Sequence, residues 1–385
     1  MDCVVCDKND WRGIPDPAPN RSVTTAGIIM DRGLAKGQCM QCGLVARIGE
    51  EFVGRSDYYE EKYADYYRRP GAPVYEAKRY RAMASWLKQA VPGLEPKSIL
   101  DVGCGAGWSM AEVKRDFPGA SIEGIEPSKA NSELAKASGF PVHTFKVGDG
   151  ASTGSKYDLI YSNNVLTHVL DPVAFLTGLK DMLTEDGRIV IVTADSTVPS
   201  NELLWCDNNY SYLPKHVIRF AEKTGLTPIH FETNPDDITI LNKQLTVLGK
   251  RGVSDATIEK VRGAEVPLSP LYVQRCSYME GWRRTHDYLR ESVKPYARVI
   301  NFGASMWTWL LAGFCPDYWT KVDFCTVDQF GGKCVDRKVT PFAEVDFRKG
   351  ECLVLGVHPQ TQDGFKRRFE GQSLDVVTWN RHVHI

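Results

Sequence analysis

Four of the eleven cysteines fall into two matched pairs, Cys3-x-x-Cys6 and Cys39-x-x-Cys42. A two-residue gap lets both thiolates of a pair reach one metal from a tight knuckle, and two knuckles close a tetrahedron, the arrangement of structural zinc. Gly43 follows the second knuckle and can take the positive φ that such turns need. The odd cysteine count argues against a secreted disulfide scaffold. Cys3, Cys6, Cys39 and Cys42 are therefore expected to hold one zinc with no position left for substrate. The other seven cysteines are scattered and read as small core hydrophobes.

A second chemistry-bearing cluster lies further on. Ser98-Ile-Leu-Asp-Val102 is a short apolar run carrying an acid, Asp101, near its end, as a buried parallel strand would. Gly103-Cys-Gly-Ala-Gly107 follows, and Trp108 to Val113 reads as a helix. Strand, glycine turn and helix make the first unit of a nucleotide-binding fold. The spacing is Gly-x-Gly-x-Gly. It departs from the Gly-x-Gly-x-x-Gly loop that seats a pyrophosphate, which disfavours a dinucleotide oxidoreductase. The segment resembles class I S-adenosylmethionine-dependent methyltransferases. That resemblance implies that Gly103, Gly105 and Gly107 let the backbone approach the methionine and ribose of the cofactor. Ser121-Ile-Glu-Gly-Ile-Glu126 places an acid about 20 residues beyond the loop, where a carboxylate accepts both ribose hydroxyls. Ser128 then suits a helix N-cap. Tyr157 to Pro172 looks like the fourth strand of that fold and its loop, with Asn163 at the cofactor and Asn164 and His168 at the same sheet edge.

Two Cys-x-x-Cys knuckles, this core, and Ser211-Tyr212-Leu213 leading a helix through Gly225-Leu226 together resemble the sugar C-methyltransferases, which act on nucleotide-linked deoxysugars. The resemblance spans nearly the whole chain. It is loosest in the last third, where Trp307-Thr-Trp309 stands in place of small residues. It implies that the loop from Trp205 to Tyr212 faces the sugar, with Tyr66 and Tyr67 above it and Tyr212 contacting substrate. It also implies a Glu-His pair before the Ser-Tyr dipeptide, the His removing a proton from carbon beside a ketone. Asn208-Asn209 occupies that place, and Asn accepts no proton at neutral pH. Asp207, His168, His216 or a tyrosine must then supply the base, with Asp207 and His168 foremost, while Asn208 and Asn209 either hydrogen-bond sugar hydroxyls or form a turn. Two alternatives stay open: O- or N-methylation of a sugar or small metabolite, which rests more on positioning, and a non-catalytic cofactor-binding protein.

These residues need a frame. Alternating strands and helices imply an α/β fold with a doubly wound, Rossmann-like methyltransferase sheet. A small zinc module with its linking helix is expected over 1–75, the cofactor-binding domain over 76–250, and a smaller Rossmann-like α/β domain over 251–385, joined through a link from Ser254 to Pro270. Ala297–Ser305, Val322–Asp328 and Glu351–Val357 are the strand segments of that last domain. Tyr59, Tyr63, Tyr66 and Tyr67 lie at helical spacing, as a packing face or as a phenolic wall over a pocket. The 385 residues carry 47 basic and 48 acidic side chains, a net charge of -1, with 43% hydrophobic and 25% charged residues. That balance offers no footprint for nucleic acid, and no apolar run is long enough to span a bilayer. With no leader pattern at Met1, a cytoplasmic enzyme acting on a small molecule is expected.

Overall fold

The protein is described by a computed structural model covering residues 1–49, 58–63, 72–234, 242–252, 255–372 and 374–383. Among these residues no helix is long and apolar enough to cross a membrane.

The N-terminal segment runs through β1 (Trp11–Gly13), β2 (Ser22–Val23), β3 (Ile29–Met30), β4 (Lys36–Cys39) and β5 (Val45–Arg47). β1, β4 and β5 form an antiparallel sheet, and β2 and β3 form a separate hairpin. A single π-helical turn, Tyr58–Lys62, follows, then α1 (Ala72–Ala90).

The central sheet has seven strands in the order β12-β13-β10-β9-β6-β7-β8. These are β6 (Ser98–Val102), β7 (Ser121–Ile125), β8 (Val142–His143), β9 (Tyr157–Asn163), β10 (Leu183–Ala194), β12 (Thr227–Asn234) and β13 (Lys243–Gly249). The first five are parallel, and β13 and β12 close the far edge antiparallel. Apolar runs such as Ile189 to Val192 are buried on both faces, as a sheet covered by helices on both sides requires. The covering helices are α2 (Trp108–Asp116), α3 (Lys129–Ala137), α4 (Pro172–Asp181) and α5 (Pro214–Thr224). Asp171 caps α4, accepting from the backbone N–H groups of Val173 and Ala174, and Ser128 caps α3 as expected.

One short strand, β11 (Tyr210–Ser211), leaves this order. It pairs with β5 of the N-terminal sheet, Tyr210 opposite Ala46 and Ser211 opposite Val45. The expected division at residue 75 is thus crossed by a strand from the middle of the chain. The expected link also differs. Ser254 lies outside the described residues, and the segment after it is α6 (Asp255–Gly263), whose Val261 packs on Ile218 and Phe231. The 26-residue α7 (Leu268–Val293) comes next.

The last third is a six-stranded sheet in the order β16-β17-β15-β14-β18-β19. Its strands are β14 (Val299–Phe302), β15 (Val322–Val327), β16 (Gly332–Cys334), β17 (Arg337–Pro341), β18 (Glu351–Leu355) and β19 (Leu374–Val377), parallel except for β16. Helices α8 (Met306–Phe314), α9 (Pro316–Lys321) and α10 (Gln362–Arg368) accompany it. Trp282 of α7 stacks on Trp307 of α8 with centroids 6.4 Å apart and rings 4° from parallel, and meets Trp379 at 5.4 Å. The tryptophans that replace small residues in α8 therefore serve packing. The β2–β3 hairpin lies on α8, where a Cβ added at Gly313 would meet Val23 at 2.1 Å. The N-terminal segment is thus clasped between both larger sheets.

Candidate active site and thiolate cluster

Strand β6 delivers Asp101 and Val102 to the C-terminal edge of the central sheet, where open α/β sheets bind ligands. A cavity of about 930 Å³ opens there. Asp101, Gly103, Glu126 and Asn163 line one end of it, and Tyr59, His168, Asn208 and Lys243 line the other, with Trp307 and His358 of the last third closing the wall.

At the first end the glycine loop is held by Glu126. Its Oε2 accepts from the Gly105 N–H and its Oε1 from the Ser128 N–H, both at 2.9 Å. Each carboxylate oxygen keeps a second lone pair. Burial pushes the Glu126 carboxyl up to about 7, and burial with the neighbouring Glu126 charge does the same to Asp101. Among the described residues Asn163 Oδ1 and Asp101 Oδ2 are buried without a hydrogen-bond partner of good geometry, although the Tyr161 and Ser109 hydroxyls lie near enough to Asp101 to favour its charge. Orphaned acceptors in a cavity cost free energy until a donor arrives. The amine and hydroxyls of an adenosyl amino acid supply such donors, so these residues fit that cofactor. Gly103 takes φ +80°, and a Cβ there would meet Val165 at 2.2 Å. Gly105 and Gly107 depart from expectation, since neither lines the cavity. Gly105 acts through its N–H, and Gly107 sits against Ala135 of α3, 3.1 Å from where a Cβ would lie.

At the second end the loop after β9 meets the loop before β11. His168 Nδ1 lies 2.7 Å from Tyr59 Oη and 3.2 Å from the Asp207 carbonyl. Tyr59 Oη donates to that same carbonyl at 2.9 Å. Burial pushes the Tyr59 phenol well up, so it stays a donor. A carbonyl only accepts, so Nδ1 carries the hydrogen and Nε2 is the bare nitrogen. Burial pulls the His168 imidazole below its ordinary value. The ring is neutral at pH 7, with a lone pair available in a cavity-lining side chain.

Other expected acceptor residues are placed differently. The Asp207 carboxylate accepts from the Thr25 N–H at 2.8 Å and from the Thr25 hydroxyl, and it does not line the cavity. It anchors the loop and is spent as a base candidate. Asn208 Nδ2 donates to Glu202 O at 3.1 Å, and Asn209 Nδ2 donates to His168 O at 2.6 Å. Both amides pair with backbone, Asn208 within its own loop and Asn209 across to the loop of His168, and of the two Asn208 lines the cavity. Tyr212 is fully buried, donating to Leu166 O at 3.2 Å and packing on Phe220. It belongs to the core, because β11 turns it inward. His216 is buried as well. Its Nδ1 accepts from the Leu213 N–H and its Nε2 donates to Cys42 O, each at 3.0 Å. Tyr66 and Tyr67 lie outside the described residues.

The four knuckle sulfurs lie within 4.8 Å of one another, with Cys3–Cys42 and Cys6–Cys39 at 3.6 Å. Four Zn–S bonds of about 2.3 Å give tetrahedron edges of about 3.8 Å, so the set fits one zinc. The Cys3–Cys42 contact pulls the Cys3 thiol down and pushes the Cys42 thiol up, as when two sulfurs share one proton.

Beneath the acceptor loop lies a charged knot without a sequence motif. Arg275 of α7 donates to Gln38 Oε1, Gly43 O and Ser196 O and Oγ at 2.7–2.9 Å. Ser196 Oγ donates to Glu202 Oε1 at 2.9 Å, and Lys36 Nζ to Glu202 O at 3.4 Å. Burial brings Lys36 down to about 8 and Arg275 down to about 10. Neither the knot, Thr25 nor Lys243 was legible in the sequence, since isolated charged residues look like solvated surface until folding buries them.

Parallel strands, a Gly-x-Gly-x-Gly turn and an acid at the end of the second strand define a class I methyltransferase fold. Residues 75–229 match the family described as a methyltransferase domain. Residues 75–229 are thus a methyltransferase domain with the fold of the S-adenosylmethionine-dependent class. Among similar proteins is a ubiquinone biosynthesis O-methyltransferase of Rhizobium etli (strain CIAT 652), 33% identical over 130 residues, covering 32% of this chain and 52% of that one. A malonyl-[acyl-carrier protein] O-methyltransferase of Halalkalibacterium halodurans is 32% identical over 175 residues, covering 43% and 63%. The chain spans about half the length of the first curated relatives it matches. Among solved structures, the mitomycin 7-O-methyltransferase MmcR aligns over 53% of this chain and 62% of its own, with 15% identity and a TM-score of 0.43.

Proposed function

We propose that the protein transfers a methyl group from S-adenosylmethionine to a sugar acceptor, nucleotide-linked as the resemblance to the sugar C-methyltransferases implies. When bound, the cofactor supplies an electrophilic methyl carbon on a sulfonium sulfur. Glu126 accepts the ribose hydroxyls through its free lone pairs, and Asp101 and Asn163 accept from the amino acid portion or its neighbourhood. His168 takes the acceptor's proton at Nε2. The Tyr59 hydroxyl and the Asp207 carbonyl hold its ring in the tautomer this needs. Asn208, Asn209 and Asp207 set the loop that places His168. Cys3, Cys6, Cys39 and Cys42 hold a structural zinc, which would brace the sheet to which β11 is added. Residues 1–75, 76–250 and 251–385 act as three parts of one machine, the first stabilising the acceptor loop, the last closing the cavity.

The observation that carries this reading is one cavity lined by both Glu126 and a neutral His168 whose Nε2 has no partner among the described residues. It replaces the missing Glu-His pair with a base from another loop, and it weighs against a purely binding protein. O-methylation is the second reading. Its support is the names of two O-methyltransferases among the relatives, and a single imidazole suffices to take a hydroxyl proton. The test is mass spectrometry of products made with isotopically methyl-labelled cofactor and a panel of nucleotide sugars. Label on ring carbon supports carbon methylation, and label lost as an ether fragment supports the oxygen reading. No transfer to any sugar, with transfer to a non-sugar metabolite, overturns the sugar acceptor.

A further inference from the structure

Lys243 is the first residue of β13, held between Ala194 of β10 and Asn234 of β12. The preceding Asn242 is fixed too, its carbonyl accepting from the Asp195 N–H at 2.8 Å. The next side chain, Gln244, donates to Ala194 O and Tyr212 O on the buried side. Alternation along a strand sends Lys243 to the other face, and it lines the cavity. It is half-buried, and among the described residues it makes no hydrogen bond or ion pair. Burial, with Arg79 adding, brings its amine down to about 8, so it is still mostly cationic at neutral pH.

A desolvated ammonium without a counter-charge is costly, and the cost is removed when an anion arrives. The one carboxylate whose charge acts on Lys243, Glu202, makes no ion pair with it among the described residues. Glu202 already accepts from Ser196 Oγ and faces Lys36 and Arg275. The same cavity wall carries neutral hydrogen-bonding side chains, Ser200, Asn201, Asn208 and Asn242, together with the charged Glu76, Arg79 and Glu202. The cofactor's own carboxylate is a poor match in position. The cofactor residues sit at the ends of β6, β7 and β9, and β13 lies beyond β10. Three strand spacings, about 14 Å, separate β6 from β13.

We infer that Lys243 is a specificity-determining residue that anchors an oxyanion of the methyl acceptor, a phosphate or a carboxylate, at the end of the cavity opposite the glycine loop. The inference rests on the reading of this cavity as a methyltransferase site. It adds that the acceptor enters as an anion and is oriented by its charge, with the reacting atom between Lys243 and the cofactor.

The experiment is calorimetric titration of inorganic pyrophosphate and of citrate into the intact protein saturated with S-adenosylhomocysteine. Wild type and Lys243→Met are compared, with Lys243→Arg as the charge-preserving control and a thermal melt for each. Wild type should bind at least one oxyanion, Lys243→Met should bind it at least tenfold more weakly, and Lys243→Arg should retain most of the affinity. Preference for pyrophosphate points to a phosphate-bearing acceptor, and preference for citrate to a carboxylic acid. Equal oxyanion binding by well-folded wild type and Lys243→Met overturns the inference, as does no oxyanion binding by wild type. A tenfold loss of S-adenosylhomocysteine affinity in Lys243→Met reassigns the lysine to the cofactor and also overturns it. Failure of wild type to bind S-adenosylhomocysteine would instead sink the methyltransferase reading itself.

Discussion

The two ends of the cavity are built in opposite ways. The cofactor end comes mostly from one strand–turn–helix–strand unit, with Asp101, Gly103 and Glu126 inside the span of β6 to β7. The acceptor end collects Thr25, Tyr59, His168, Asn208, Lys243 and His358 from six separate segments. A local site tolerates rearrangement elsewhere in the chain. A distributed site depends on every element that brings its pieces together. Damage remote from the cavity should therefore silence methyl transfer while leaving cofactor binding in place.

The largest effect should come from the thiolate cluster. Cys42 joins His216 through its carbonyl, and β5 pairs with the strand that ends the Asp207–Asn209 loop. Structural zinc contributes about 10–16 kcal/mol in small zinc modules. Cys39→Ser, or chelation, should abolish turnover, while S-adenosylhomocysteine affinity in calorimetry changes less than about threefold. Metal analysis of protein purified without chelators should find one zinc per chain. Equal loss at both ends would break the contrast.

Next in size is the base. His168→Ala should lower turnover about 10²–10⁴-fold, the usual contribution of a general base, with cofactor affinity unchanged. Neutral imidazole is the active form, and protonation removes it. Because burial lowers its pKa, the acid limb of kcat/KM, which reports the free enzyme, should lie below the ordinary histidine value of about 6.5. A limb above that value would point to another base.

The smallest effect belongs to the cofactor end. Glu126→Ala should weaken S-adenosylhomocysteine about 10- to 100-fold, since hydrogen bonds to a charged group are worth about 1.5–3 kcal/mol. Wild-type affinity should itself improve as pH rises through about 7, where Glu126 and Asp101 lose their protons and become full acceptors. Flat affinity across that range, or an unchanged Glu126→Ala protein, would remove Glu126 from the ribose.

Legibility followed the same divide. The Gly103–Gly107 turn, the acid at 126 and the serine cap could be read because their meaning depends on neighbours a few residues away. So could the knuckles, whose spacing alone brings two sulfurs to one point. Asp207, expected as a base, and Asn209 and Tyr212, expected at the substrate, pair with protein groups instead for a tertiary reason. Pairing of β11 with β5 decides which faces of that loop are buried, and nothing in Trp205 to Tyr212 encodes a partner some 165 residues upstream at Val45 and Ala46.

By itself, then, the chain's residue pattern determined the strand–helix alternation, the glycine turn and the two cysteine pairs that converge in the fold, because period, glycine placement and Cys-x-x-Cys spacing are local chemistry. Only the tertiary structure decided that His168 rather than Asp207 has a free proton acceptor. A histidine's tautomer is set by what its other nitrogen meets, here Tyr59 and a carbonyl from segments distant in sequence. The same holds for Lys243, an ordinary surface-type lysine in the sequence, which becomes a cavity-lining amine with no ion pair among the described residues only when the sheet edge folds around it.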